Sequence, residues 1–255
     1  MTAGSIVVFG EKARYIKAES TFFEAERFFD KMTDASVFPD PLCADEDGIV
    51  AVSRTIDPEM LTDAYYHGIF PWPFGEGHRL IPWCAPHRRG VIFLNEFHIP
   101  GSFERELKKN RFTLRVDHDF PAVISSCGAV PRKGQDGTWI TPQIIKAYTE
   151  LHQMGYAHSI EAYTPDGELA GGLYGISIGR IFCGESMFYR VSGASKFALV
   201  SLAQILKKLG AELIDTQMVT PLTAAFGAKE IPSAEYLKLL KSLRGAPLDF
   251  SGFKD

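Results

Sequence analysis

The chain has no stretch of the roughly 18 uncharged apolar residues that a membrane-spanning helix requires. Its opening residues place Glu11, Lys12 and Arg14 directly after a short apolar run, unlike a secretory leader. Residence in the cytoplasm, away from any membrane, is therefore expected. Cysteine is scarce: Cys43, Cys84, Cys127 and Cys183 are scattered without C-x-x-C spacing, which argues against a zinc site and a disulfide framework and predicts free thiols. An excess of positive charge is missing too. With 27 Lys and Arg against 31 Asp and Glu the net charge is −4, so no global basic field invites nucleic acid, and any RNA contact has to come from a local patch. No repeat or low-complexity tract occurs, which removes solenoids and repetitive arrays from consideration. What remains is an ordinary globular composition: 255 residues, 45% hydrophobic, with 15 Pro and 23 Gly, enough for one large domain or two smaller ones.

The most informative stretch runs from Gly179 to Gln217. RIFCGESMFY is apolar and aromatic on both parities, as a strand buried on both faces would be, and GGLYGISIG before it supplies an antiparallel hairpin partner. SKFALVSLAQILKKLG then repeats Phe197, Leu199, Val200, Leu202, Ile205, Leu206 and Leu209 at helical spacing, with Ser195 as a cap and Gly210 as the stop. AELIDTQ returns as a short buried strand, and Asp215 and Gln217, two residues apart, are expected on one face of it. Glu185, Asp215 and Gln217 are thus polar side chains inside apolar runs. Such groups must be hydrogen-bonded, and a buried carboxylate tends to have a shifted pKa, so the trio is either a reactive site or a set of satisfied structural caps.

Around this unit the elements alternate. FFEAERFFDKM, with Phe22, Phe23, Phe28 and Phe29, predicts an amphipathic helix, and DPEMLTDAYYHG a helix that starts at Asp57 and Pro58, carries Tyr65 and stops at Gly68. Pro73 to Arg89 has the look of a long irregular loop dense in His78, Trp83, His87, Arg88 and Arg89, either a binding loop or a rigid junction between domains. GVIFLN and FTLRVD are predicted strands. Between them SFERELKKNRF is a short mixed-charge helix whose Arg105, Lys108, Lys109 and Arg111 face phosphates or simply solvent. FPAVISSCGAV is a helix, KGQDGTWIT a turn bearing Trp139, and TPQIIKAYTELHQMG a helix capped by Thr141 with Pro142 at its first position; AHSIEAYT leads into the hairpin. The expected fold is α+β: a mostly antiparallel sheet with flanking helices over residues 90–255, preceded by a smaller, Pro-rich and aromatic domain over residues 1–89.

These segments carry a resemblance. GIFPW (68–72), GTWIT (137–141), AHSIE (157–161), GGLYG (171–175), FCGESMF (182–188), ASK (194–196) and LIDTQ (213–217) are similar, in order and spacing, to motifs of the leucyl/phenylalanyl-tRNA-protein transferase family. The similarity runs from about Phe38 to Tyr236. It implies a larger domain of the GNAT acyltransferase type. It also implies an enzyme that moves leucine or phenylalanine from its tRNA to the N-terminal Arg or Lys of a protein, marking that protein for degradation.

The resemblance assigns roles by position. Asp215 paired with Gln217 resembles the family's proposed proton relay, and Glu185 its anionic anchor for the incoming N-terminal residue. Leu173, Phe182, Met187, Leu199, Leu206 and Ile214 fall on the pocket for the leucyl or phenylalanyl side chain. Tyr65, Trp72, Trp139 and Tyr148 fall on positions that line the site and stack on the terminal adenosine. The bare chemistry is compatible. An aminoacyl-tRNA is an activated ester, so the enzyme has to place an α-amine, help it lose a proton and stabilise the oxyanion, with no metal or organic cofactor. Because an α-amine has a pKa of about 8, a weak base is enough.

The sequence also departs from the family pattern. Ser53, Arg54 and Thr55 stand where Gly-Gly-Asp is usual, and Trp83 is followed by Cys84 rather than a second Trp. Pro100 and Gly101 replace a basic residue, Glu104 and Glu106 dilute the basic helix, and Leu222 and Ala225 replace a His and a Ser. These changes bear on the grip on tRNA more than on the reaction. Arg190-Val-Ser-Gly193-Ala-Ser195, between a strand and a helix, approximates the phosphate loop of acyl-CoA-dependent N-acyltransferases. A small-molecule N-acyltransferase is therefore the alternative reading, with a catalytically silent RNA- or peptide-binding relative as another.

Overall fold

The structure, a computed structural model, describes residues 6–7, 34–73, 80–130 and 138–254. The expected helix FFEAERFFDKM, His78 and the first residues of the KGQDGTWIT turn lie outside the described residues. Two sheets organise the rest. The smaller is made of β1 (Ile6–Val7), β2 (Ile49–Ser53), β3 (Phe70–Pro71) and β4 (Ile81–Cys84), in the antiparallel order β1-β2-β4-β3. Helix α1 (Pro58–Tyr66) connects β2 to β3. Asp57 caps it by accepting from Met60 N, Pro58 opens it, and Gly68 leaves it in the left-handed region at φ 81°, as the sequence signals require.

The larger sheet contains β5 (Arg88–Phe93), β6 (Thr113–Val116), β7 (Ala157–Tyr163), β8 (Leu169–Ile178), β9 (Ile181–Tyr189), β10 (Leu213–Gln217) and β11 (Lys229–Pro232). Their order is β11-β5-β10-β9-β8-β7-β6, antiparallel throughout except for the central pair β9 and β10, so the expected mostly antiparallel α+β architecture is what forms. The helices are α2 (Gly101–Leu107), α3 (Phe120–Gly128), α4 (Pro142–Gln153), α5 (Ala194–Lys208), α6 (Pro221–Ala225) and α7 (Ser233–Leu243). Alternation along the strands divides the core in two. Phe182, Ile214, Leu173 and Ile160 pack against Leu199, Leu202 and Leu206 of α5. Ile181, Cys183, Leu213 and Tyr174 face the other way, into a cluster with Tyr65, Trp83, Ile144, Tyr148 and Tyr236 that also joins the smaller sheet. Both faces are covered, which is why β9 is apolar on both parities.

Two expectations are corrected here. Pro73 to Arg89 is not one irregular loop: β4 and the start of β5 lie within it. Prolines argue against a paired strand because they cannot donate, but Pro82 needs only its carbonyl, which accepts from Trp72 N at 2.8 Å. Trp83 beside it is wholly buried, and its Nε1 donates to Ser53 Oγ at 2.9 Å, so Ser53, which departs from the family pattern, is the partner of this ring. Nor does Ser195 cap α5. Gly193, left-handed at φ 91°, is the N-cap without a side-chain bond, and Ser195 is buried inside the first turn. Helix α6 and strand β11 were not expected at all, although Thr220, Pro221 and Thr223 form a capping box whose spacing was there to be recognised.

Candidate active site

The site lies where β9 and β10 part. Their parallel pairing covers Leu213 with Ile181, Ile214 with Phe182 and Asp215 with Cys183, and stops there. Each strand is also irregular at that point. On β9, Gly184 pairs with Gly175 and Ser186 with Tyr174, which leaves Glu185 without a partner opposite it. On β10 the pairing with β5 slips between Asp215 and Gln217, and Gln217 adopts φ 55°. The expectation that Asp215 and Gln217 share a face through strand alternation is therefore corrected, since a bulge breaks the period of two. The bulge nevertheless keeps them together: Gln217 N donates to Asp215 Oδ1 at 2.9 Å. From the same residue, Nε2 reaches across to Glu185 Oε1 at 3.1 Å. Gly90 on β5 makes room for this turn. A Cβ there would stand 2.5 Å from Met218 C and 2.8 Å from Val219 N, both backbone atoms.

Asp215 is 0% exposed and fully engaged. Arg89 Nε donates to its Oδ1 at 2.9 Å, Arg89 Nη2 to its Oδ2 at 2.7 Å, and the Tyr236 hydroxyl to Oδ2 at 2.7 Å. Arg89, equally buried, sits between the Phe70 and Tyr236 rings at 4.5 and 4.6 Å and gives Nη1 to the Gly68 carbonyl at 3.1 Å. Burial would pull the guanidinium towards neutrality, but the adjoining Asp215 outweighs it and holds Arg89 charged. Cys183 Sγ lies 3.7 Å from Asp215 Oδ2; burial and that negative charge push the thiol well above its ordinary pKa, so it is no nucleophile.

Glu185 differs in being only half-buried and in having no cation bonded to it among the described residues. Its Oε2 accepts from the Tyr148 hydroxyl at 3.2 Å, and that hydroxyl lies 2.6 Å from the Tyr65 hydroxyl. Burial pushes the Glu185 carboxyl up to about 7; Asp215 adds to the rise, while the Tyr65 and Tyr148 hydroxyls and Arg89 oppose it. Burial holds both tyrosines far above their ordinary pKa, so they stay protonated donors.

Five expected site residues, Glu185, Asp215, Gln217, Tyr65 and Tyr148, thus form one connected network. Trp72 and Trp139 are stacked on each other at 5.9 Å and 15° from parallel, and Phe70, whose ring lies against Arg89, is edge-on to Trp72. The six expected pocket residues also come together. Leu173, Phe182, Leu199, Leu206 and Ile214 are buried in one cluster and Met187 packs against it, on the sheet face opposite Asp215 and Cys183. Two partners carry no sequence signal of their own: Arg89 ends the stretch expected as a loop, and Tyr236 lies in none of the motifs. Among the described residues no group of His, Cys, Asp and Glu is arranged to hold a metal ion, and no helix is long and apolar enough to cross a membrane.

A half-buried glutamate, an amide pinned by a buried ion pair and two phenol hydroxyls thus meet where two parallel strands part; the relatives of this chain are acyltransferases. The chain belongs to the leucyl/phenylalanyl-tRNA protein transferase family. The family model matches residues 91–241, and the model of that family's N-terminal domain matches residues 54–87. The chain is 44% identical over 209 residues to the leucyl/phenylalanyl-tRNA-protein transferase of Desulfatibacillum aliphaticivorans, covering 82% of this chain and 88% of that one. With the Nitrosomonas eutropha protein of the same name it shares 48% over 200 residues, 78% of this chain and 84% of the relative. Among solved structures, the GCN5-related glucosamine N-acetyltransferase region of a fungal β-N-acetylglucosaminidase superposes with a TM-score of 0.39 at 12% identity, over 57% of this chain and 20% of that one.

Proposed function

We propose that the protein transfers leucine or phenylalanine from aminoacyl-tRNA to the α-amine of acceptor proteins that begin with Arg or Lys, in the cytoplasm, and so marks them for degradation. The observation that supports this reading is the meeting of Glu185, Gln217 and Asp215 where β9 and β10 separate. In this proposal Glu185 meets the cationic N-terminal residue and Gln217 holds the amine by hydrogen bonding. Asp215, fixed by Arg89 and Tyr236, sets the Gln217 backbone. Leu173, Phe182, Met187, Leu199, Leu206 and Ile214 receive the donor side chain, and Trp72 and Trp139, with Tyr65 and Tyr148, line the path of the terminal adenosine. The residues before about 89 act as a smaller domain beside the catalytic one.

In the reaction the α-ammonium loses a proton and the amine attacks the ester carbonyl. The bond to the ribose oxygen breaks, and a proton from the attacking nitrogen ends on that oxygen. Purified protein, incubated with labelled Leu-tRNA or Phe-tRNA and an Arg-initiated peptide, is expected to label the peptide. A parallel incubation with labelled acetyl-CoA tests the acyl-CoA alternative suggested by residues 190–195; label arriving from that donor alone refutes the proposal.

A further inference from the structure

Resting on that reading, we propose that Glu185 is the group that takes the proton from the acceptor's α-ammonium, while Gln217 only orients the amine and Asp215 only holds Gln217 in place. Geometry separates the three candidates. A carboxylate has about four lone-pair directions. On Asp215 four close donors occupy them: two nitrogens of Arg89, the Tyr236 hydroxyl and Gln217 N. No water or amine reaches a group that is 0% exposed. Gln217 carries an amide, which orients an amine but does not hold a proton near neutral pH, and its Nε2 is already given to Glu185.

Glu185 alone is a carboxylate with free capacity. One oxygen accepts from Gln217 Nε2 and the other from Tyr148, and the residue, unlike Asp215, is not fully buried. The groups that face it are Tyr65 of α1, Tyr148 of α4, Asp215 and Gln217 of β10, Arg89 of β5 and Cys183 of its own strand. Among the described residues Asp215 is the one anion of this set and Arg89 the one cation, and the two neutralise each other. The resulting carboxyl titrates near 7, matched to a substrate amine whose own pKa is about 8. In the step itself the N–H bond of the α-ammonium breaks, its electron pair stays on nitrogen, and the proton forms an O–H bond on Glu185. The neutral amine then attacks, and Glu185 releases its proton to solvent after product leaves.

The test is the pH dependence of kcat/KM for Leu transfer from Leu-tRNA to an Arg-initiated peptide, measured for the full chain. The unaltered protein is expected to gain activity as pH rises through about 7. Glu185→Gln keeps the size and loses the base: activity at about pH 6.5 should fall on the order of 10²-fold. That defect should shrink above about pH 8, where the amine arrives already deprotonated. Tyr148→Phe removes a hydroxyl that favours the ionised carboxyl, so its rising limb should move to higher pH. The Tyr148→Phe profile decides the matter if Glu185→Gln does not fold. An unshifted profile, or a Glu185→Gln protein that keeps kcat and loses only its preference for basic N-termini, overturns the proposal and leaves Glu185 an anchor. If the unaltered protein makes no product from either aminoacyl-tRNA, it is the proposed function that fails.

Discussion

Two places in the larger sheet bury carboxylates, and they treat them in opposite ways. Beyond the end of β6, Asp117 at φ 54° accepts from Ser159 N at Oδ1, 2.9 Å, and its Oδ2 pairs with His158 Nδ1 at 2.8 Å, with Lys254 Nζ 3.1 Å away. His158 stacks on Phe250 at 4.0 Å, so the cluster fastens the C-terminal residues to β7. Near it Glu161, wholly buried, accepts with one oxygen from His118 N, Asp119 N and the Ser159 hydroxyl. At the parting of β9 and β10, Asp215 is closed in the same manner, but Glu185 is left with phenols and an amide for neighbours and is less buried than Asp215. Burial of a carboxylate therefore does not mark a site, and neither does the lack of a cation, since Glu161 is held by backbone N–H groups and a hydroxyl. What sets Glu185 apart is that its bonds come from a tyrosine and an amide side chain, at the point where two parallel strands part.

The strongest way to break this comparison is to remove the cations. Arg89→Met strands Asp215 in the core and is expected to cost about 3–5 kcal/mol in urea unfolding, as the loss of one partner of a buried pair does. Lys254→Met at Asp117, where the lysine is half exposed, should cost under about 1 kcal/mol. Equal losses would mean that the two clusters are the same kind of structure. Gly90→Ala drives a methyl into the 217–219 backbone. It is expected to cost roughly 1–3 kcal/mol through overpacking and, by moving Gln217, to lower kcat more than it raises KM. Met187→Ala should weaken use of the larger donor side chain by roughly 1 kcal/mol without altering the acceptor KM. A change in acceptor KM instead would show that the pocket is assigned to the wrong substrate.

The subtlest effect is one of sign. The Asp117 carboxyl is held below its ordinary pKa: burial would raise it, but the bonds from His158, Ser159 and Lys254 outweigh burial. A folded-state pKa below the unfolded one contributes stability above about pH 3.9, lost as pH falls through the folded value. Glu185, raised to about 7, does the reverse. Its folded form prefers the proton, so it subtracts stability as pH climbs from the ordinary glutamate range to 7. Urea midpoints measured against pH should therefore show Asp117→Asn flattening the acid limb below about pH 4, and Glu185→Gln stabilising the protein at neutral pH. A destabilised Glu185→Gln protein at neutral pH would remove the contrast.

Much of the frame was legible in the sequence because its signals are local. Thr141 and Pro142 cap and open α4, Asp57 and Pro58 do the same for α1, and the hairpin of β8 and β9 follows from two apolar runs with a glycine turn between them. Where a local rule competed with the fold, it lost. Pro82 looked like loop but needed only a carbonyl in its ladder, and Ser195 looked like a cap but is displaced by a glycine that can turn left-handed.

The residue types of the site, Glu185, Asp215, Gln217 and the aromatics around them, were determined by the sequence, because polar side chains inside apolar runs and an ordered set of short motifs are properties of the chain itself. Their division of labour was decided only by the tertiary structure. Arg89 lies 126 residues from Asp215, and Tyr236 comes from another element, so no periodicity announces that they saturate that carboxylate. The backbone turn that aims Gln217 at Glu185 arises from the slip of β10 against Gly90, a contact between distant segments. Charge compensation and strand register depend on which distant groups share a space, and a linear sequence carries no local record of that.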